Sequence, residues 1–187
     1  MQTRETRIPG EEGIWVLILG DLFVFSLFFL TFVYYRGQQL AVFEQSALML
    51  NRGLGLANTI LLLTSSLFVA MGVHRVRKGL PRAARCFSLA ILCGLGFVVI
   101  KGIEYHAKFA LGITVTTNDF FMLYFAFTGI HLLHVLVGLG VLSFLATSAR
   151  ATAMTPGRQM LIECGALFWH LVDLLWVMLF SLFYLLR

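Results

Sequence analysis

The chain is poor in charge, in proline and in cysteine, and each shortage excludes something. Charged residues make up 12% of the 187 positions against 59% hydrophobic, and the apolar residues run in long blocks instead of alternating with polar ones. A soluble domain does not read this way. The three prolines, Pro9, Pro81 and Pro156, lie at or before the starts of apolar blocks and break none of them. The discontinuous helices with which many secondary transporters bind ions are therefore not visible. Cys86, Cys93 and Cys164 fall within apolar blocks without a CxxC pair, which favours small packing residues over metal or redox chemistry. A Gly-rich phosphate loop, a zinc signature and a nucleophile elbow are all missing. No catalytic residue and no metal ligand set is identified.

What is present is five apolar blocks: Ile14 to Tyr35, Leu54 to Val73, Ala83 to Ile103, Phe120 to Ala146 and Leu161 to Leu186. At about 20 residues or more and ~1.5 Å of rise per residue, each can cross a hydrocarbon core of roughly 30 Å as a helix that satisfies its own backbone hydrogen bonds. The expected fold is all-α, a polytopic membrane protein of five transmembrane helices. Residues 1–13, with Arg4, Arg7, Glu5, Glu11 and Glu12, form an N-terminal segment, and 14–187 form a single membrane domain. The first block is too long for a signal peptide, carries Asp21 and lacks a small-residue cleavage pattern, so it reads as a retained helix. The stretches 36–53 and 104–119 are the longest loops expected, too short for an extramembrane domain.

A net charge of +5 raises the question of nucleic acid, but the placement of the basic residues answers it better. With the N-terminus inside, the cytoplasmic set holds Arg4, Arg7, Arg75, Arg77, Lys78, Arg82, Arg85, Arg150 and Arg158. The outer set holds Arg36, Arg52, Lys101, Lys108 and Arg187. The short Arg75–Arg85 cluster dominates, as the positive-inside rule expects, and this predicts a cytoplasmic N-terminus and a periplasmic C-terminus. The remaining effect of the charge is attraction to anionic lipid.

Ionisable groups inside a span each need a partner, a wet cavity or a protein interface. Asp21 lies in the first block, His131 and His134 in the fourth, and Glu163, His170 and Asp173 in the fifth; Glu104, His106 and Lys108 follow the third. His131 and His134 are three apart, as are His170 and Asp173, which puts each pair on neighbouring parts of one helix face. Imidazole and carboxylate on facing helices can share a proton, so a membrane polar network of Asp21, His131, His134, Glu163, His170 and Asp173 is expected. Structural pairing is the plain reading, and proton handling or ligand binding is the alternative. Haem fits poorly, since two histidines three apart on one helix cannot approach one iron from opposite faces. Dense aromatics in the first and last blocks, including Phe23, Phe28, Phe168, Trp169 and Trp176, are packing or lipid-facing surface, or line a groove for acyl chains.

Several segments match a known family. Ala166-Leu-Phe-Trp-His-Leu-Val-Asp-Leu-Leu-Trp176 resembles the WHFVDVVW signature in the last helix of haem-copper oxidase subunit III. Thr128-Gly-Ile-His-Leu-Leu-His-Val135 with Gly138 resembles that family's TGxHxxHVxxG, Glu104-Tyr105 its Glu-Tyr pair, and Gly20-Asp21 with Phe23, Phe25, Phe28 and Phe29 its Ser-Glu and Phe-rich run. The likeness extends in order from Gly13 to Leu186. It departs in two ways: the first two of the mitochondrial type's seven helices are lacking, as in shorter members, and Asp21 stands for a membrane glutamate. Arg52 to Ser66, and Lys101 to Phe109 with Asn118, look most like the NorE type associated with nitric oxide reductase.

The resemblance implies a non-catalytic accessory subunit in the inner (cytoplasmic) membrane of a bacterium. It would pack beside a haem-containing catalytic subunit, bind phospholipid and hold no metal or cofactor of its own, the haem residing in the partner. Glu104, Tyr105, Trp169 and Trp176 then become candidates for subunit-interface or lipid contact. A stand-alone proton-coupled transporter using Asp21, His131, His134, His170 and Asp173 is the alternative from another class.

Overall fold

The computed structural model describes residues 12–150 and 155–186. They form α1 (Glu12–Gln38), α2 (Leu40–Leu48), α3 (Arg52–Arg77), α4 (Ala83–Ala110), α5 (Asp119–Ser148) and α6 (Pro156–Phe180), with α6 running on into a π-helical turn, Ser181–Leu185. The described residues contain no strand. Five helices are long and apolar enough to cross a membrane: Gly13–Gln38, Arg52–Arg77, Ala83–Ala110, Asp119–Ser148 and Pro156–Leu185. They coincide with the five expected spans. Of the expected N-terminal segment only Glu12 and Gly13 fall among the described residues, and Arg187 lies outside them.

Local signals set the helix ends. Asn51 Oδ1 accepts from Leu54 N–H at 3.2 Å, Asn118 Oδ1 from Phe121 N–H at 2.9 Å, and Thr155 Oγ1 from Arg158 N–H at 3.3 Å, each satisfying an amide that has no partner within its helix. Pro156 follows Thr155 at the first helical position, where its missing N–H costs nothing. At the other ends Gly79 (φ 62°) and Gly112 (φ 72°) adopt the left-handed conformation. Leu80 N–H then donates to Arg75 O, and Ile113 N–H to Lys108 O, closing Schellman motifs after α3 and α4.

Helices α3, α4, α5 and α6 pack in a closed ring, each against its two neighbours, and α1 lies outside against α5 and α6. In the most apolar stretch of α6, 61% of residues are buried, against 11% in α1, so α6 is the most enclosed of the five long helices and α1 the most exposed. Lipid tails are as apolar as leucine, so close fit holds such helices together more than expulsion of water does. The fit depends on particular glycines. A Cβ at Gly138 would lie 2.7 Å from the Trp169 indole, one at Gly94 3.0 Å from it, and one at Gly55 2.8 Å from the Tyr184 ring. Gly102 and Gly140 face open space instead.

The stretch expected to be a loop between the first two spans contains α2. Its nine residues are too few to show a period, and its anchoring is tertiary. Phe43 sits 5.2 Å from the Phe32 ring and 5.5 Å from Phe120, while Ser46 Oγ accepts from Asn118 Nδ2 at 3.0 Å. Gln39 Nε2 also donates to Asp119 Oδ2 at 2.6 Å, fastening α2 to the start of α5.

Candidate functional site: the buried polar residues

The six residues expected to form one membrane network fall in three separate places. Asp21 on α1 faces His134 on α5, with Oδ2 and Nε2 3.6 Å apart. His134 Nδ1 lies 2.9 Å from the Ile130 carbonyl and donates to it, so Nε2 reaches the carboxylate through a hydrogen bond only when a proton lies between the two. His131 is fully buried one helical step away, between Phe97 (5.7 Å) and Trp176 (5.4 Å), and neither ring nitrogen has a hydrogen-bond partner. Glu163, His170 and Asp173 lie along α6 beside α3. There Arg77 Nε donates to Glu163 Oε1 at 2.8 Å, and His170 Nδ1 is 2.5 Å from Ser66 Oγ. Asp173 is 7% exposed and its Oδ1 lacks a hydrogen-bond partner.

Glu104, Trp169 and Trp176, expected at a lipid or subunit contact, are inside the bundle at 2%, 0% and 0% exposure. The Trp169 indole fills the space left by Gly94 and Gly138, and Trp176 Nε1 donates to Thr59 Oγ1 at 3.1 Å. Tyr105 alone of the four is partly exposed; its hydroxyl lies 2.6 Å from Thr128 Oγ1. Because Thr128 gives its own proton to the Tyr124 carbonyl, Tyr105 is the donor in that pair.

The densest polar site was not legible as one in the sequence. Lys101, counted there with the outer basic residues, is 1% exposed and points into the bundle. Its ammonium donates to Glu104 Oε2 at 2.9 Å, Tyr124 Oη at 3.0 Å and Tyr184 Oη at 3.2 Å. All three of its protons are thus placed. Tyr184 O–H donates to Glu104 Oε1 at 2.6 Å, and Tyr124 O–H is left to donate to Tyr184 Oη at 3.4 Å. Every proton has an acceptor, and both carboxylate oxygens are used. The ring faces of Tyr124 and Trp176, 4.8 and 4.9 Å from Nζ, complete the cation's surroundings. A buried ion pair is tolerable on these terms: the remaining hydrogen-bonding capacity must be filled or desolvation exceeds the attraction. Lys108, also buried, donates to the Met49 carbonyl and ties the end of α4 to the α2–α3 connection.

Among the described residues no group of three or more His, Cys, Asp or Glu side chains is placed to hold a metal ion. The arrangement joins helices: His170 and Ser66 share one proton between α6 and α3, and Asp21 stands within ion-pair distance of His134 between α1 and α5. Fold and interior together define a five-span integral membrane bundle whose helices are registered by internal polar contacts. The chain belongs to the cytochrome c oxidase subunit III family, whose sequence model matches residues 9–186. It is similar to the probable cytochrome c oxidase subunit 3 of Nocardia farcinica (strain IFM 10152), 27% identical over 176 residues, which cover 94% of this chain and 87% of that protein. It also resembles the quinol oxidase subunit 3 of Bacillus subtilis (strain 168), 26% identical over 180 residues, with 92% and 85% covered. The probable cytochrome c oxidase subunit 3 of Mycobacterium leprae (strain TN) is 31% identical over 130 residues, 69% of this chain and 64% of that one.

Proposed function

We propose that the chain is a non-catalytic accessory subunit of a respiratory terminal enzyme, packed beside a haem-containing catalytic subunit that carries the redox chemistry. The observation that supports this most is the pairing of its relatives. A subunit from a cytochrome c oxidase and one from a quinol oxidase both align over more than four-fifths of their lengths. What those proteins share cannot be tied to one electron donor, and the shared part is this bundle. The interior polar residues serve in this reading as helix-to-helix locks, since most of them bond within the chain. The finer assignment, to a nitric oxide reductase complex, rests on the likeness of Arg52 to Ser66 and of Lys101 to Phe109 with Asn118 to the NorE type.

Bound phospholipid belongs to the same proposal. An apolar groove of about 340 Å³ runs between α1, α5 and α6, lined by Leu17, Val137, Phe144, Leu161 and Phe168, and suits acyl chains. The proposed location is the bacterial inner membrane with the Arg75–Arg85 end in the cytoplasm. A mild-detergent pull-down of the tagged chain from native membranes tests the assignment, with haem spectra, subunit identification and lipid analysis of the eluate. A large haem-containing subunit in the eluate is the expected result and identifies the parent enzyme. A haem-free chain eluting alone would overturn the accessory role and favour stand-alone transport.

A further inference from the structure

A second polar system is open where the Lys101 cluster is closed. Between α3 and α6 lies a groove of about 330 Å³, its walls carrying His74, Arg77, Glu163 and His170 with Ala70 and Ala166. The mouth is the Arg77–Glu163 pair, where the Arg77 side chain is 48% exposed and Glu163 16%. Inward, the groove reaches His170, whose Nδ1 contacts Ser66 Oγ at 2.5 Å. Asp173 follows His170 by three residues and so lies on a neighbouring part of the same α6 face, toward α3. From Glu163 to Asp173 is ten residues of α6, about 15 Å of helical rise, which is roughly half of a hydrocarbon core. Asp173 is therefore a buried carboxyl near mid-membrane, with one oxygen unpartnered.

Beyond Asp173 the column stops. Leu175 and Trp176 are fully buried, Trp176 Nε1 is held by Thr59, and the indole lies 4.9 Å from the Lys101 ammonium. Along α6, Leu175 and the Trp176 indole therefore stand between Asp173 and the closed cluster at the other end.

We propose that this groove conducts protons from the aqueous face beside Arg77 and Glu163 to Asp173, which takes up and returns a proton inside the membrane from that side alone. The proposal stands on the groove and its residues, whatever enzyme the chain serves. Hydronium at the mouth gives a proton to His170 Nε2, leaving water. The ring passes its Nδ1 proton to Ser66 Oγ, and Ser66 passes its own hydroxyl proton to the Asp173 carboxylate. The end state is neutral His170, neutral Ser66 and a carboxylic acid, and reversal returns the proton to the groove. The charged and titratable groups around the column are His74 and Arg77 from α3 and Glu163 and His170 from α6. The other elements packed on α6 supply His131 and His134 from α5, Asp21 from α1, which faces His134, and Tyr184 from the π turn.

Infrared difference spectroscopy of the full chain in lipid nanodiscs, stepped in pH, tests this. A protonated-carboxyl C=O band that grows as pH falls is expected, absent in Asp173→Asn and retained in Glu163→Gln. Ala70 is exposed on the groove wall, so Ala70→Trp obstructs the path without disturbing the core. In that variant the band is expected to remain while its hydrogen–deuterium exchange slows severalfold. This second measurement decides the matter even where Asp173→Asn does not fold. A pH-responsive band that survives Asp173→Asn, no such band at all, or an exchange rate unchanged by Ala70→Trp would overturn the proposal.

Discussion

Two polar regions sit along the same stretch of α6 and the turn that follows it, and they are built on opposite terms. Around Lys101 every proton has an acceptor, both oxygens of Glu104 are used, and the four polar side chains are walled in by rings. Along the α3–α6 groove the ion pair is half in water, the histidine leans on a single serine, and the carboxyl of Asp173 has an oxygen to spare. The difference teaches what each can do. A saturated network in a dry interior can only hold its shape, because any transfer of charge within it orphans a partner. An under-satisfied column open to water can exchange protons at little cost to the fold.

Breaking the closed region has the largest expected effect. Lys101→Met leaves Glu104 charged, buried and short of a donor, a loss of about 3–5 kcal/mol, read as a lower thermal unfolding midpoint in detergent. Adding Glu104→Leu to that variant is expected to recover most of the loss, since no charge is then left alone. A double variant no more stable than the single would show that the ion pair is not what holds α4 to the π turn. Next comes Gly138→Ala, at the Trp169 indole that α6 packs against α4 and α5. Its new methyl would stand 2.7 Å from Trp169, and overpacking of this kind costs ~1–3 kcal/mol, visible as a shift in tryptophan emission and in the unfolding midpoint. The smallest effect belongs to the groove mouth. Arg77→Gln removes a half-exposed pair worth at most about 1 kcal/mol, and the difference from the unaltered protein is expected to vanish in high salt. A large, salt-insensitive loss at Arg77 would mean that the mouth is a structural lock like the other end.

Much of this architecture was written in the sequence, and the omissions have physical causes. Unbroken apolar blocks and their flanking arginines marked the five spans because helix length and bilayer thickness leave few alternatives. The motifs at Thr128–Gly138 and Ala166–Trp176 located the family. The partners of the polar residues were less legible. His131 and His134 read as one face, yet three residues on a helix differ by about 60° around the axis, enough to send His131 into the bundle and His134 toward Asp21 on α1. Lys101 reads as a topology charge, although its i, i+3 spacing to Glu104 inside an apolar helix is a signal of mutual burial. Tyr184, eighty residues from Glu104, carried no local sign of its role. Only packing brings it there.

The π turn at Ser181–Leu185 is what delivers it. There Leu186 N–H bonds to Ser181 O, five residues back, at 3.0 Å, where an α-helix would bond four back. Such a turn acts as a single-residue phase shift late in an otherwise regular helix. A sequence can acquire or lose it through one codon, and losing it would rotate the final residues by roughly 100°. The tyrosine hydroxyl would swing away from Glu104 while the hydropathy of the span stayed the same. Two chains could thus carry equally good fifth spans and differ by one residue in whether the lysine cage can close.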